Sequence, residues 1–131
     1  MEGQITKAFE STSIRTAWNE EEEEWYFSVV DVVGVLTESI DYQTARNYWK
    51  VLKARLKSEG FEPVTNCNQL KMKSADGKMR LTDVANTEQL LRIIQSVPSK
   101  KAEPFKMWLA QVGRERIENI AGNQKETSEK N

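Results

Sequence analysis

Four cations on one stretch of the chain are the residues whose types and spacing best suit a chemical role. They are separated by four, three and four positions, and they are Arg46, Lys50, Lys53 and Lys57. At about 100° per residue, this spacing predicts a single stripe along a helix. Lysine and arginine release counterions when they neutralise phosphates, which supplies most nonspecific affinity for nucleic acid. The stripe therefore predicts a polyanion-binding surface, with an ordinary solvated helix face as the alternative.

The charge of the chain is unevenly distributed, although the net charge is only −1. Residues 1–40 have two basic and nine acidic side chains, a balance of −7. Residues 41–81 have nine basic and four acidic side chains, a balance of +5, and residues 82–131 have a balance of +1. A basic segment inside a slightly acidic chain is typical of a localised nucleic-acid-binding face.

A polar, basic hairpin is predicted directly after the cationic helix. The segments Val64–Lys73 and Lys78–Leu81 read as two strands, and Ala75-Asp76-Gly77 between them is a hairpin-turn signal. Arginine pairs with guanine and asparagine with adenine in the major groove, so polar side chains near the cations are candidates for base contacts. The full set of predicted DNA-binding residues is Arg46, Asn47, Tyr48, Lys50, Lys53, Lys57, Asn68, Gln69, Lys71, Lys73, Lys78 and Arg80. Asn47, Asn68 and Gln69 are expected to contact bases, the cations to contact phosphates, and Tyr48 to touch the ligand.

The residue types argue against an enzyme. The chain has no histidine and a single cysteine, Cys67, which removes the histidine-dependent nucleophile arrangements and the histidine-containing zinc sites. Asp76 and Lys78 resemble the Asp-x-Lys end of a nuclease site, but further carboxylates at a suitable spacing are missing, and a turn is the better interpretation. We expect no enzyme activity and no cofactor, with a magnesium-dependent nuclease as the weakest alternative.

Composition places the chain among soluble single domains. It has 131 residues, of which 38% are hydrophobic and 30% are charged. No apolar run has the roughly 18 residues of a membrane span, and residues 1–10 lack the apolar core of a signal peptide. The lone cysteine favours a reducing compartment. We therefore expect a cytoplasmic protein that does not contact membranes.

Several elements must position the predicted surface, and the first are a hairpin and two helices. Alternation in residues 13–19 and the apolar run 25–27 predict two strands joined by the acidic loop Glu20–Glu24. Ser28 is a predicted N-cap, with Asp31 in the position of a capping-box acid, for a short buried helix over 28–38. The apolar spacing in residues 41–58 predicts a longer helix that Gly60 ends.

The remaining elements follow the basic hairpin. Thr82 or Asp83 is expected to open a short helical turn, and Thr87 is expected to cap a helix that Pro98 stops. A last helix is predicted to begin between Ser99 and Phe105, and its apolar stripe to extend toward Ile117 and Ile120. The predicted fold class is α+β, with small β-hairpins packed against about four helices in a single domain. Its predicted divisions are an arm over 1–12, a domain over 13–120, and a disordered tail or cut chain end over 121–131.

The order of these segments resembles the Bro-N domain, the N-terminal domain of baculovirus repeated ORF proteins and prophage antirepressors. Residues 25–33, Trp-Tyr-Phe-Ser-Val-Val-Asp-Val-Val, resemble its opening helix. Residues 90–94 and Ser96, followed by residues 101–109, Lys-Ala-Glu-Pro-Phe-Lys-Met-Trp-Leu, resemble its closing pattern. The resemblance covers about residues 14–118, and residues 46–50 with 65–70 look like a bacterial branch.

The resemblance implies DNA binding by a phage-derived transcription regulator that opposes a repressor. The middle of the family's domain is tied to DNA, and it corresponds to the basic segment of this chain. The resemblance also implies self-association as a dimer. An alternative from a different class is a protein-interaction module that sequesters a repressor, in which the acidic loop Glu20–Glu24 mimics DNA.

Overall fold

Nine helices and strands make up the part of the chain that the computed structural model describes, residues 2–61 and 68–115. In chain order they are β1 (Glu2–Phe9), β2 (Thr12–Asn19), β3 (Glu24–Ser28), α1 (Val29–Thr37), α2 (Tyr42–Ser58), β4 (Asn68–Lys73), β5 (Met79–Ala85), α3 (Thr87–Gln95) and α4 (Ala102–Gly113). The strands form one antiparallel sheet in the order β1-β2-β3-β5-β4. The predicted α+β class with about four helices is confirmed.

The first strand lies within residues 1–12, the segment predicted as an N-terminal arm. Residues 2–9 pair with β2 along the edge of the sheet, with Thr6 opposite Arg15 and Phe9 opposite Thr12. Phe9 is buried against the core, where its ring packs edge-on against Phe105 at 5.1 Å between centroids. Burial of this ring and the strand hydrogen bonds hold the segment on the domain, whereas its weak alternation gave no strand signal.

The predicted acidic hairpin is present as β2 and β3. Trp18 lies opposite Trp25 and Thr16 opposite Phe27, which places the aromatic side chains on one face. The two tryptophan rings meet edge-on at 5.1 Å. This face carries the main core, to which all four described helices contribute, while Ala17 and Tyr26 lie on the other face.

The N-cap predicted for α1 is confirmed, and Asp41 is the N-cap of α2. The Ser28 hydroxyl accepts from the Asp31 backbone N–H at 3.3 Å, and the Asp41 carboxylate accepts from Thr44 N–H at 2.8 Å. The Asp31 carboxylate does not complete a capping box, because it binds Arg15 instead. Gly60 has φ 87° and follows the cap residue of α2. The N–H groups of Gly60 and Phe61 donate to the carbonyls of Lys57 and Leu56, which is a Schellman motif.

Two local predictions in the second half are wrong. Thr82 and Asp83 do not open a helical turn, because they continue β5, whose last residues pair with β3 through Phe27–Ala85 and Ser28–Val84. The cap of α3 is Asn86 rather than Thr87: its side chain accepts from Gln89 N–H, and the Gln89 side chain accepts from Asn86 N–H. Asparagine and threonine both suit an N-cap, and the pairing of β5 with β3 up to Ala85 fixed where the helix begins.

The last helix starts inside the predicted window, at Ala102, with Pro104 in its first turn, where proline is tolerated. Phe105, Leu109 and Val112 are its buried stripe. Several predictions concern residues outside the described part: the first half of the strand from Val64, including Cys67, the stripe beyond residue 115, and the tail over 121–131.

Candidate nucleic-acid interface

The cationic stripe lies on α2 as predicted, but its members differ in their surroundings. Arg46, Lys50 and Lys57 are exposed and form no ion pair with any described residue. Lys53 is half-buried, and its Nζ lies 2.8 Å from the Asp83 carboxylate of β5. Three cations of the stripe are therefore available to an external anion, and the fourth is used within the molecule.

Asp83 joins α2 to the strands that follow it. One carboxylate oxygen accepts from Lys53 Nζ at 2.8 Å and from Trp49 Nε1 at 2.9 Å. The other oxygen accepts from Gln69 Nε2 of β4 at 2.9 Å. Burial favours the neutral acid, but these hydrogen bonds together outweigh it and lower the pKa of Asp83 below its usual value. Asp83 is therefore ionised at neutral pH and binds three groups from two elements.

The strands β4 and β5 extend as a two-stranded ribbon, residues 68–83, beyond the point where β5 pairs with β3. In the ribbon, Gln69 lies opposite Asp83, Lys71 opposite Leu81, and Lys73 opposite Met79. Because side chains alternate along a strand, these six residues share one face. Asp83 contacts α2, so this face, here called the helix-side face, is the one that continues from α2.

The reverse face of the ribbon packs on the domain. Met72, at 0% exposure, clusters with Ala17, Tyr26 and Val84, and Leu70 packs against them. Arg15 adds a polar anchor, since its Nη1 donates to the Lys73 carbonyl at 3.2 Å. These contacts hold the ribbon in a defined orientation and leave the part of its helix-side face beyond Asp83 and Gln69 uncovered.

A cleft of about 400 Å³ separates α2 from the ribbon. Among the described residues that line it, Asp83 is the one carboxylate, and it is already bound by Lys53. Five of the predicted DNA-binding residues line this cleft: Arg46, Asn47, Lys50, Lys53 and Gln69. The fold therefore brings the cations and the amide of α2 together with Gln69, which follows them by 16 to 23 positions in the sequence.

The other predicted site residues lie outside this cleft. Lys71 and Lys73 continue the helix-side face, and Lys78 lies in the ribbon turn, whose Ser74 N–H donates to the Lys78 carbonyl at 2.8 Å. Arg80 lies on the reverse face and pairs with Asp76 of the turn. Tyr48, Lys57 and Asn68 do not line the cleft either.

Tyr48 and Asn68 lie against other parts of the domain rather than in the cleft. Tyr48 is half-buried against the core and lines a separate, more apolar groove of about 400 Å³ with Val51 and Arg55. Asn68 shares the reverse face of the ribbon with Val84, its partner in the register. Neither lies on the cleft wall that carries Arg46 and Lys50.

Asp76 and Lys78, which resemble the end of a nuclease motif in the sequence, belong to the turn of the ribbon. The Asp76 carboxylate accepts from the Lys78 backbone N–H at 3.0 Å and from the Arg80 guanidinium. These hydrogen bonds lower the pKa of Asp76. In residues 2–61 and 68–115, no group of three or more histidine, cysteine, aspartate or glutamate side chains is placed to hold a metal ion.

Sequence reasoning missed the residue that organises the base of the surface, Arg15. Its guanidinium binds the Asp31 carboxylate through Nε at 2.8 Å and Nη2 at 3.0 Å, and both side chains are 12% exposed. Nη2 also donates to the Ser28 hydroxyl at 3.2 Å, and the guanidinium lies over the Tyr42 ring at 5.6 Å. Burial lowers the pKa of Arg15, but bonding to Asp31 more than offsets this and raises the pKa above its usual value.

Arg15 thereby connects β2, α1, the first residue of α2 and the ribbon. It borders a groove of about 770 Å³ between the ribbon turn and strands β1 and β2, which Arg46 also lines. A signal was present in the sequence, because Arg15 is the one charged residue of β2 and a buried charge needs a partner. The identity of that partner, sixteen positions later, depended on the fold.

The acidic segment forms an ordered turn between β2 and β3. Glu22 N–H donates to the Asn19 side chain at 2.9 Å, and the Tyr26 hydroxyl donates to the Glu22 carboxylate at 2.6 Å. Burial, followed by the bond to Glu22, raises the pKa of Tyr26 above its usual value. Glu20 and Glu21 are exposed and form no ion pair with a described residue.

Comparison with known protein families shows to which family the chain belongs. The model of the BRO family, N-terminal domain, matches residues 13–114, which is most of the chain and includes α2 and the ribbon. The chain belongs to the BRO family. The resemblance noted from the sequence is therefore confirmed. No curated protein and no solved structure matches the chain.

BRO N-terminal domains are associated with DNA-binding regulators. In this BRO domain, the matched region contains every element that lines the cleft. No helix in the described part of the domain is long and apolar enough to cross a membrane.

Proposed function

We propose that this BRO domain binds duplex DNA on the surface that α2 and the helix-side face of the ribbon form around the cleft, as the DNA-binding domain of a prophage-type, antirepressor-like transcription regulator. The observation that carries the proposal is the pairing of charges in the cleft. Its one described carboxylate, Asp83, is already bound by Lys53, Trp49 and Gln69, while Arg46 and Lys50 on the opposite wall have no acidic partner. The surface is thus left with uncompensated positive charge.

Phosphates are the natural partners of such cations. Arg46 and Lys50 are one helical turn apart on α2, and Lys71 and Lys73 are neighbours on the helix-side face. Each phosphate contact releases condensed counterions, so affinity should fall steeply as salt rises. Asn47, which lines the same cleft, has the amide needed for a base edge.

Fluorescence anisotropy with a labelled duplex of mixed sequence, measured over a series of salt concentrations, tests the proposal. The double variant R46A/K50A removes two cations of the cleft. The matched control K100A/R114A also removes one lysine and one arginine, both exposed and outside the cleft. For two lost phosphate contacts, the slope of log K against log salt should become shallower by about 1.8 in the first variant. It should not change in the control.

An absence of binding to the mixed duplex at low salt would refute the proposal. An equal effect of the two double variants would also refute it, because overall charge rather than the cleft would then explain the binding.

A second candidate function, sequestration of a repressor, is supported by the ordered acidic turn. Glu20 and Glu21 are exposed on a turn fixed by Asn19 and Tyr26, so their charges are held in place rather than dispersed. Fixed carboxylates on a surface offer charge complementarity to a phosphate-binding groove. The test adds the domain to a preformed complex of a phage repressor with its labelled operator. Release of the operator that is lost in E20Q/E21Q and retained in R46A/K50A would favour this function over DNA binding.

A further inference from the structure

Two large apolar side chains are exposed on the helix-side face of the ribbon. Met79 is 55% exposed and Leu81 is 63% exposed, two positions apart on β5. Their register partners on β4 are Lys73 and Lys71, which are exposed as well. The uncovered part of the face is therefore a square of two apolar and two cationic side chains.

Packing within the domain does not account for the apolar pair. The reverse face of the same ribbon supplies the buried residues, with Met72 at 0% and Thr82 at 5% exposure. Alternation directs Met79 and Leu81 away from that cluster. An exposed apolar pair on a ribbon with free edges also invites unwanted pairing with other chains. Its position beside two exposed lysines suits a ligand with both apolar and anionic parts.

We propose that this square is the element that reads base sequence, with Met79 and Leu81 against thymine methyl groups in the major groove and Lys71 and Lys73 on the flanking phosphates. The inference rests on the proposed DNA binding and specifies how that site would recognise sequence. The thymine methyl is the apolar feature of the major groove, and it is absent from the minor groove. The major groove, about 12 Å wide, admits a two-stranded ribbon.

The spacing of Met79 and Leu81, and the residues that lie beside them, agree with this arrangement. Residues two apart on a strand are about 6.8 Å apart, which matches two base-pair steps of about 3.4 Å along the duplex. Leu81 lines the cleft with Arg46 and Lys50, so a ribbon in the groove would leave these cations beside the adjacent backbone. The reverse-face contacts of Met72 and the bond from Arg15 to Lys73 would keep the ribbon in position during entry.

The test uses a duplex enriched by the full chain from a library of random 20-base-pair sequences. Each thymine of the enriched duplex is then replaced in turn by deoxyuridine, which removes the methyl group and keeps the hydrogen-bonding edge. Burial of one methyl group corresponds to about a fourfold change in affinity. We expect losses of this size at two thymines about two steps apart, and little change elsewhere.

Two variants locate the effect on the protein. M79T/L81T removes the large apolar groups and keeps residues that suit a strand. It should lose most of the sensitivity to deoxyuridine, because the short threonine methyl makes much less apolar contact than methionine or leucine, and it should keep the salt slope of the unmodified protein. The control V51A/M107A removes two apolar groups that are 70% and 74% exposed on α2 and α4, and it should retain full sensitivity to deoxyuridine.

The outcomes separate this inference from the proposed function. Salt-dependent binding without an enriched sequence, or an enriched duplex that binds equally well with deoxyuridine throughout, would overturn the inference and leave DNA binding intact. Weaker binding by M79T/L81T without any deoxyuridine effect would also overturn it, since contact would then be made elsewhere, as in minor-groove insertion. An absence of binding to any duplex would overturn both.

Discussion

Two groups of cations in this molecule have opposite surroundings. At the junction of β2 with α1, Arg15 is enclosed by Asp31, Ser28 and Tyr42 and is only 12% exposed. On α2 and the helix-side face of the ribbon, Arg46, Lys50, Lys71 and Lys73 are exposed and have no acidic partner among the described residues. The first group holds elements together, and the second group offers charge to a ligand.

The comparison shows that cation count alone is a poor guide to a binding surface. Lys53 belongs to the same helical stripe as Lys50, yet it is tied to Asp83. Arg80, in the same basic segment, is tied to Asp76. Stability and ligand binding should therefore respond to different substitutions, and this separation can be tested.

The largest expected effect is at Arg15. The Asp31 carboxylate is only 12% exposed in the unmodified protein, and R15A leaves it without its guanidinium partner. Breaking such an enclosed pair should lower the free energy of unfolding by about 3 kcal/mol. Urea unfolding at neutral pH measures the loss. K57A, which removes an unpaired cation from α2, should stay within about 0.5 kcal/mol of the unmodified protein. Similar losses in both variants would contradict the division into two groups.

Lys50 and Lys53 provide the closest comparison, since they are three positions apart on α2. K53M removes a bond to Asp83 and should cost about 1 kcal/mol of unfolding free energy, as Lys53 is only partly enclosed. K50M should cost almost nothing in stability but weaken binding to duplex DNA. Urea unfolding and anisotropy on the same two proteins check both halves. The reverse order in either measurement would remove the distinction between the lysines.

Asp83 should make a pH-dependent contribution to stability. Its folded pKa is lowered, so its stabilising effect is fully present above the unfolded value of about 3.9 and is lost as pH falls through the folded pKa. The difference in unfolding free energy between the unmodified protein and D83N, about 1 kcal/mol at neutral pH, should therefore shrink below about pH 4. Urea titrations at a series of pH values measure it. A difference that stays constant down to pH 2 would show that the charge of Asp83 is not the cause.

The smallest effect is expected at the acidic turn. E20Q/E21Q removes two charges that line neither the cleft between α2 and the ribbon nor the groove beside Arg15. Reduced repulsion should leave affinity for duplex DNA equal or up to about twofold tighter at low salt, and the gain should vanish at high salt. Anisotropy at two salt concentrations is sufficient to measure it. Weaker DNA binding by this variant would place the turn within the DNA interface.

Much of the fold was predictable because it rests on local signals. The cap at Ser28, the apolar spacing in α2 and the Asp-Gly turn at residues 76–77 each depend on neighbours within a few positions. Local signals were insufficient where distant pairing decided the outcome. Residues 2–9 became a strand because β2 was available, and Thr82 and Asp83 stayed in β5 because that strand pairs with β3 and β4.

The sequence by itself determined the family, the elements and the position of a basic segment. These follow from residue order, helical spacing and charge counts, which need no knowledge of distant contacts. Only the tertiary structure decided which cations remain unpaired, because Asp31 and Asp83 meet Arg15 and Lys53 across 16 and 30 positions of sequence. It also decided which ribbon face is uncovered, since burial of Met72 fixes the exposure of Met79 and Leu81 on the other side.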